Sequence, residues 1–223
     1  MMAIAALVLF AVMMLVLGAG RRHIQLRRTG DSGNRRTWCP DGSLEWWALA
    51  GADLGYLLVG VGAPLADVAG LAPLAVMDHP LGRGLGVAVA VLGILLALVA
   101  QLSLGDSWRI GIDETERTPL VTTGAFGVVR NPIFTAAIVA FCGLALMVPN
   151  LVAVAGVAVM LIGIQVQVRL AEEPYLRRVH GPAYTDYASR VGRFLPGLGR
   201  LQREHDTRRG AATRSHHNDD ARG

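Results

Sequence analysis

The sequence predicts an all-α integral membrane protein of about five transmembrane helices, followed by a short cytoplasmic C-terminal helical segment. Three observations predict it. Of 223 residues, 52% are hydrophobic and only 17% are charged, with a mean hydropathy of +0.43, which is too apolar for an ordinary soluble domain. The apolar residues gather into separate stretches long enough to cross roughly 30 Å of hydrocarbon at about 1.5 Å per residue. The basic residues fall almost wholly on alternate connections between those stretches.

Taken in order, the first helix covers about residues 2–20, an uncharged run followed by "RRHIQLRR". A cleaved leader carries its positive charge ahead of the apolar run, so this pattern predicts an uncleaved helix with its N-terminus outside. The polar stretch to Ser43 is then cytoplasmic. The second helix, 44–62, opens on Trp46 and Trp47, which suit the membrane interface, and contains Asp53. A carboxylate at that depth points either to function or to a helix–helix hydrogen bond. Pro64, Asp67, Pro73 and Pro80 interrupt the next stretch, which is expected to be an external loop or interfacial segment over 63–81. A third helix spans 85–104, a fourth 132–148 and a fifth 151–168, the last two joined by the tight turn "VPN".

From Arg169 a cytoplasmic helical segment runs to 198. "HGP" at His180–Pro182 breaks it, with Gly181 as a left-handed cap, and a second short helix follows over about 183–191. Residues 1–198 thus form one membrane domain, while 199–223, nearly devoid of apolar residues, are expected to be a disordered tail.

Arginine tests this topology. An odd number of spans starting outside requires basic residues in the first loop, the third loop and the tail. Arg21, Arg22, Arg27, Arg28, Arg35 and Arg36 lie in the first, Arg109, Arg117 and Arg130 in the third, and eleven more from Arg169 onward, with Arg83 alone outside. Adding or deleting one helix would scatter that segregation. None of the 21 basic residues is lysine, a bias that fits a GC-rich bacterial genome and hence a bacterial cytoplasmic (inner) membrane.

Several function classes are excluded by composition. The pI near 9.7 reflects arginines that flank spans, where they set topology and meet acidic lipid headgroups, so no nucleic-acid partner is expected. Cys39 and Cys142 lie in a polar loop and within a span, and the six histidines show no ligand spacing beyond the His216–His217 pair, so no metal is expected. "GVG" and "GRGLG" do not sit between a strand and a helix, which makes them packing glycines instead of nucleotide loops. The sequence does not determine the oligomeric state.

Three polar clusters remain, all expected to face the cytoplasm: Ser107–Phe134, Gln165 with Gln167, and Val168–Leu176. If helices four and five form a hairpin, Arg130 and Asn131 lie near Arg169, Glu172 and Glu173. Asn131 suits an N-cap and Pro132 the first helical position, leaving amide donors at the boundary that favour anions, or simply starting a helix. Arg169 and Glu173 are four residues apart and are expected to pair or to hold a ligand.

The elements "WRIG", "LVTTGAFGVVRNPIF" and "EEPYLRRVHGPAYTDYASRVGRFLP", with two apolar helices between the second and third, resemble the isoprenylcysteine carboxyl methyltransferase family. That family lies within the wider group that holds phospholipid N-methyltransferases. The resemblance covers roughly Ser107–Pro196. It implies an enzyme that uses S-adenosyl-L-methionine on a lipid or lipophilic, membrane-embedded acceptor. Carried over by position, the cofactor contacts are Thr118, Pro119, Leu120, Val121, Phe126, Asn131, Pro132, Ile133, Phe134 and Glu172. Arg169 becomes the substrate-side group; for an amine acceptor, which must first lose a proton, Glu173 or Asp53 is the candidate base. The family commonly has histidine at Asn131 and tyrosine at Phe126 and Phe134, and its arginine lies one residue before Arg169. Asparagine keeps hydrogen-bonding capacity but removes any titrating imidazole. The alternatives are phospholipid N-methylation, a nicotinamide-dependent lipid or sterol-type reductase, and a non-catalytic protein of the same fold.

Overall fold

A computed structural model describes residues 1–32, 41–105 and 119–201. Among the described residues the chain is all-helical, with one isolated bridge and no strand. Long helices form where the sequence is continuously apolar: α1 (Met2–Thr29), α2 (Leu44–Val68), α3 (Pro80–Ser103) and α6 (Leu151–His180) are long and apolar enough to cross a membrane. The protein is multi-pass. The fourth expected span, α5 (Pro132–Met147), has 16 residues, about 24 Å of helix, which is short for the hydrocarbon core. Two small helices complete the set among the described residues, α4 (Ala125–Val128) before α5 and α7 (Pro182–Arg190) after α6.

Several boundaries differ from expectation. The third helix starts at Pro80 and not at 85, because His79 Nδ1 caps it by accepting from Leu81 N–H at 3.2 Å and proline suits the first helical position. The first helix continues past Gly20 to Thr29, where Gly30, at φ +74°, caps it and donates its N–H to Leu26 O. Arg21 explains the extension: it is buried, and its Nη2 donates to the carbonyl of Gly105 at 2.5 Å, while Gln101 Nε2 donates to Leu17 O at 3.1 Å. The second helix runs through Pro64 to Val68, because a π-helical turn over Leu58–Gly62 precedes the proline and relieves the usual clash with the carbonyl four residues back. Finally, Gly181 has φ +52° but ψ −127°, so it breaks α6 in a glycine-only region outside the left-handed helical basin.

Caps fix the remaining starts. Ser43 Oγ accepts from Trp46 N–H at 3.1 Å. Asn150, fully buried, accepts from Ala153 N–H at 3.0 Å and donates to Ala63 O at 2.8 Å, tying the α5–α6 turn to α2.

The hairpin helices do not pack mainly on each other. α5 lies against α3 and α6 against α2, and both pairs close through small residues. Gly86, Ala90, Gly93 and Ala97 of α3 are buried together with Ala136, Ala140 and Gly143 of α5; a Cβ on Gly93 would fall on the Ala140 backbone, and one on Gly143 on that of Ala90. Gly55 meets Met160, and Gly163 meets Ala52, in the same way. Lipid tails give apolar helices no hydrophobic reason to associate, so close backbone approach supplies the dispersion contacts instead. Phe10 of α1 lies over Gly60 and edge-on to Phe141, whose other face stacks on Tyr56 at 4.6 Å.

Candidate functional site at the arginine-rich end

The segment before α5 and the segment after α7 lie side by side. Val129 bridges Gly192 in parallel, Arg130 N–H donates to Gly192 O at 2.8 Å, and Asn131 N–H to Arg193 O at 3.1 Å. Thr135 Oγ1 donates to Phe194 O at 2.9 Å. The loop 191–199 turns back on itself, with Arg193 N–H donating to Leu198 O at 2.7 Å. Gly192 makes that turn possible, since a Cβ there would collide with the backbone of Leu195, Gly197 and Leu198.

Two guanidiniums and one carboxylate lock this junction. Arg130 Nη2 donates to Glu173 Oε1 at 2.6 Å, Arg193 Nε to the same oxygen at 2.7 Å, and Arg193 Nη2 to Oε2 at 2.8 Å. Arg130 also donates to the carbonyls of Ala188, Val191 and Gly199 at 3.0, 2.6 and 3.0 Å. The side chains of Arg130 and Glu173 are 2% and 6% exposed, so these are desolvated, charge-assisted bonds in which each ion depends on the others. The Glu173 carboxylate raises the Arg193 pKa above its ordinary value. Arg130 Nε has no acceptor among the described residues.

Below the lock, α7 presents Tyr184, Tyr187 and Ala188 to Leu120 and Leu176, and Tyr187 Oη donates to Phe126 O at 2.6 Å. Burial pushes both phenols up to about 12. Unfolded tyrosines ionise near pH 10, so this contribution is complete below pH 10 and is lost as pH rises through 12. An alkaline absorbance titration is expected to show these two phenolates only near pH 12, or abruptly on unfolding.

The other predicted site residues distribute as follows. Thr118 lies outside the described residues. Pro119 is exposed, Leu120, Val121, Phe126, Ile133 and Phe134 are half-buried, and Pro132 is buried as the first residue of α5. Asn131 stands at the N-cap position, but its side chain makes no capping bond; Nδ2 donates instead to Arg193 O at 3.1 Å. Arg169 and Glu173 do not pair. Arg169 is exposed and its Nε donates to Gln165 Oε1 at 2.9 Å, while Glu173 faces Arg130 and Arg193. A π-helical turn over Gln167–Glu172 rotates the helix at this point, so that Gln167 Nε2 reaches Glu172 Oε1, five residues on, at 3.1 Å. Asp53 is half-buried and partnered.

The expected meeting of the α5 start with the α6 end therefore occurs, directly through Arg130 and Glu173 and reinforced by the C-terminal loop through Arg193, although the two helices pack mainly on other partners. Arg193 is the residue the sequence reading missed. Its signal was an arginine set in the otherwise apolar and glycine-rich run "VGRFLPGLG" directly after a helix stop.

This end of the molecule, with α3, α5 and α6 leading to it, coincides with a family match: residues 81–183 match the family described as phospholipid methyltransferase. Over this stretch, a little under half of the chain, the sequence is similar to that family. Two curated relatives are similar to about half of the chain. Protein-S-isoprenylcysteine O-methyltransferase B of Arabidopsis thaliana is 28% identical over 113 residues, 50% of this chain and 57% of its own. The nickel-cobalt-cadmium resistance protein NccN of Alcaligenes xylosoxydans xylosoxydans is 27% identical over 117 residues, 52% of each chain. The chain thus spans just over half the length of these relatives. No solved structure matches it. Within the matched stretch lie Arg130, Asn131, Glu172 and Glu173, whereas the loop 191–199 lies beyond it.

Proposed function

We propose that the protein is a methyltransferase that uses S-adenosyl-L-methionine to methylate a lipophilic acceptor entering sideways from the bilayer. The cofactor enters from the cytoplasm, and the membrane is the bacterial inner membrane, with the N-terminus outside and the C-terminus inside. The arginine segregation in the sequence supports that orientation.

The observation that carries the reading is the state of Glu172. It is half-buried, and its one hydrogen-bond partner among the described residues is the neutral amide of Gln167. The neighbouring Glu173 has taken the guanidiniums of Arg130 and Arg193, which leaves Glu172 with no arginine partner among the described residues. Such a carboxylate suits a cationic or hydroxyl-bearing ligand. The donor set fits the cofactor: Glu172 would accept from its amine or hydroxyls, Asn131 retains a side-chain oxygen, and Leu120, Val121, Phe126, Ile133 and Phe134 are half-buried apolar residues of the same segment as Asn131.

When bound, the cofactor supplies a methyl group already activated on a sulfonium centre. An anionic acceptor, carboxylate or thiolate, then needs positioning and exclusion of water more than a strong base. Glu173 is poorly suited to serve as a base, because its oxygens accept three hydrogen bonds from two guanidiniums; we assign it to holding the site together. Arg169 is exposed and, among the described residues, bonded to a neutral amide, which leaves its guanidinium able to meet an anionic headgroup at the membrane boundary.

Binding of labelled S-adenosylmethionine to the detergent-solubilised full chain is expected to be saturable, and Glu172→Gln is expected to weaken it about tenfold or more, since hydrogen bonds to charged groups contribute on the order of 1.5–3 kcal/mol. No saturable binding by the wild type would overturn the assignment. Incubation with native membrane lipids then identifies the acceptor by the species that becomes labelled.

A further inference from the structure

The loop 191–199 lies beyond residues 81–183, although the motif that carries the resemblance runs on to Pro196, and it makes the most concentrated set of polar contacts at the candidate site. We infer that this loop is a strap forming one wall of the cofactor site, and that Arg193 is its positioning residue, orienting Asn131 through its own carbonyl while Glu173 holds its guanidinium. The inference rests on the reading of Asn131 as a cofactor contact and extends it to a residue that binds nothing itself.

The geometry makes Arg193 a two-ended connector. At its main-chain end, one carbonyl oxygen receives both the backbone N–H and the side-chain Nδ2 of Asn131, each at 3.1 Å. Those two bonds fix which way the amide plane of Asn131 faces, and therefore where its oxygen points. At its side-chain end, two nitrogens grip the two oxygens of Glu173 at 2.7 and 2.8 Å, the bidentate arrangement that lysine cannot reproduce. Between the ends, the Arg193 N–H closes the turn onto Leu198 O. The strap is then held at both flanks by Arg130, through Val191 O on one side and Gly199 O on the other. Loss of the Arg193 guanidinium leaves Glu173 paired with Arg130, so the inner half of the lock survives while the connection that sets the Asn131 carbonyl partner loosens.

The distinction between a positioning residue and a purely structural one is measurable. Arg193→Ala is expected to raise the dissociation constant for S-adenosylmethionine, measured by calorimetry on the solubilised protein, about tenfold, and to raise KM for the cofactor in parallel with kcat changed less than about twofold. Arg193→Lys is expected to restore charge but not the bidentate grip, and so to recover only part of the affinity. Hydrogen exchange supplies a reading independent of activity: the amides of Arg130, Asn131 and Arg193 are expected to lose protection in Arg193→Ala, while those of α3 keep theirs. Thr135→Val removes a further anchor, the hydroxyl that reaches Phe194 O at 2.9 Å and Asn131 O at 3.0 Å, without disturbing any charge, and is expected to shift cofactor affinity the same way by a smaller factor, about threefold. It serves if Arg193→Ala fails to fold.

The outcomes separate cleanly. A wild type that binds no cofactor overturns the proposed function itself. A wild type that binds, with Arg193→Ala and Thr135→Val binding equally well despite exposed strap amides, overturns the inference and leaves the function standing. A fall in kcat with unchanged affinity also overturns it, since that would place Arg193 in the transfer step.

Discussion

Glu173→Ala is expected to be among the most damaging single substitutions in the chain, costing about 3–5 kcal/mol. The carboxylate accepts from Arg130 and from both ends of the Arg193 fork. Removing it leaves Arg130, 2% exposed at its side chain, as a buried cation with carbonyls for company and no counter-charge. Breaking one partner of a desolvated pair in this way strands the other, a larger penalty than the pair's net contribution. The same change frees the loop 191–199 from α6. Thermal unfolding of the solubilised protein, together with limited proteolysis, checks both parts: a lower midpoint and early cleavage C-terminal to α7 are expected. A midpoint within a degree of wild type would mean that the ion triad does not hold this end together. Glu173→Gln, which keeps the shape and one acceptor oxygen, is expected to fall between the two.

The second large effect lies between α3 and α5. Gly93→Val is expected to force these helices apart, because even a single Cβ at that position falls on the Ala140 backbone, which cannot swing away as a flexible side chain would. Overpacking typically costs about 1–3 kcal/mol, and more where backbone must shift; the value here is expected at or above the upper end. α5 carries Asn131 and Pro132 at its start, so a displaced α5 also displaces the candidate site, and cofactor binding is expected to weaken with stability. Gly84→Val is the control, since nothing lies within 4 Å of a Cβ added there. Equal stability of the two variants would show that the α3–α5 contact is not close in solution.

Pattern and composition were sufficient for the elements themselves. A continuous apolar run about twenty residues long has only one way to satisfy its backbone in lipid, so the long helices and their order follow from hydropathy alone. Helix starts were equally legible where a short polar side chain precedes the run, as at Ser43 and Asn150, because the capping bond is local. Boundaries failed where a distant partner decides them. Arg21 belongs to α1 because Gly105, 84 residues away, accepts from it, and nothing local to "RRHIQLRR" announces that.

The candidate site divides along the same line. That Arg130, Asn131, Glu172 and Glu173 would share one end of the bundle followed from the order of helices and turns. Which ion would pair with which did not. A spacing of four predicted Arg169 with Glu173, but the π-helical turn at Gln167–Glu172 changes the register and points the two residues at different neighbours. Arg193 could not be matched to Glu173, 20 residues earlier, without knowing that the loop folds back.

The sequence alone thus determined what kind of molecule this is, how its helices succeed one another and which segment carries its polar chemistry, because those depend on interactions between near neighbours and with lipid. Only the tertiary structure decided the pairing of charges and the part played by the loop 191–199. Ion pairs across the fold are fixed by where backbones stop relative to one another, and a single wide turn moves that by a residue.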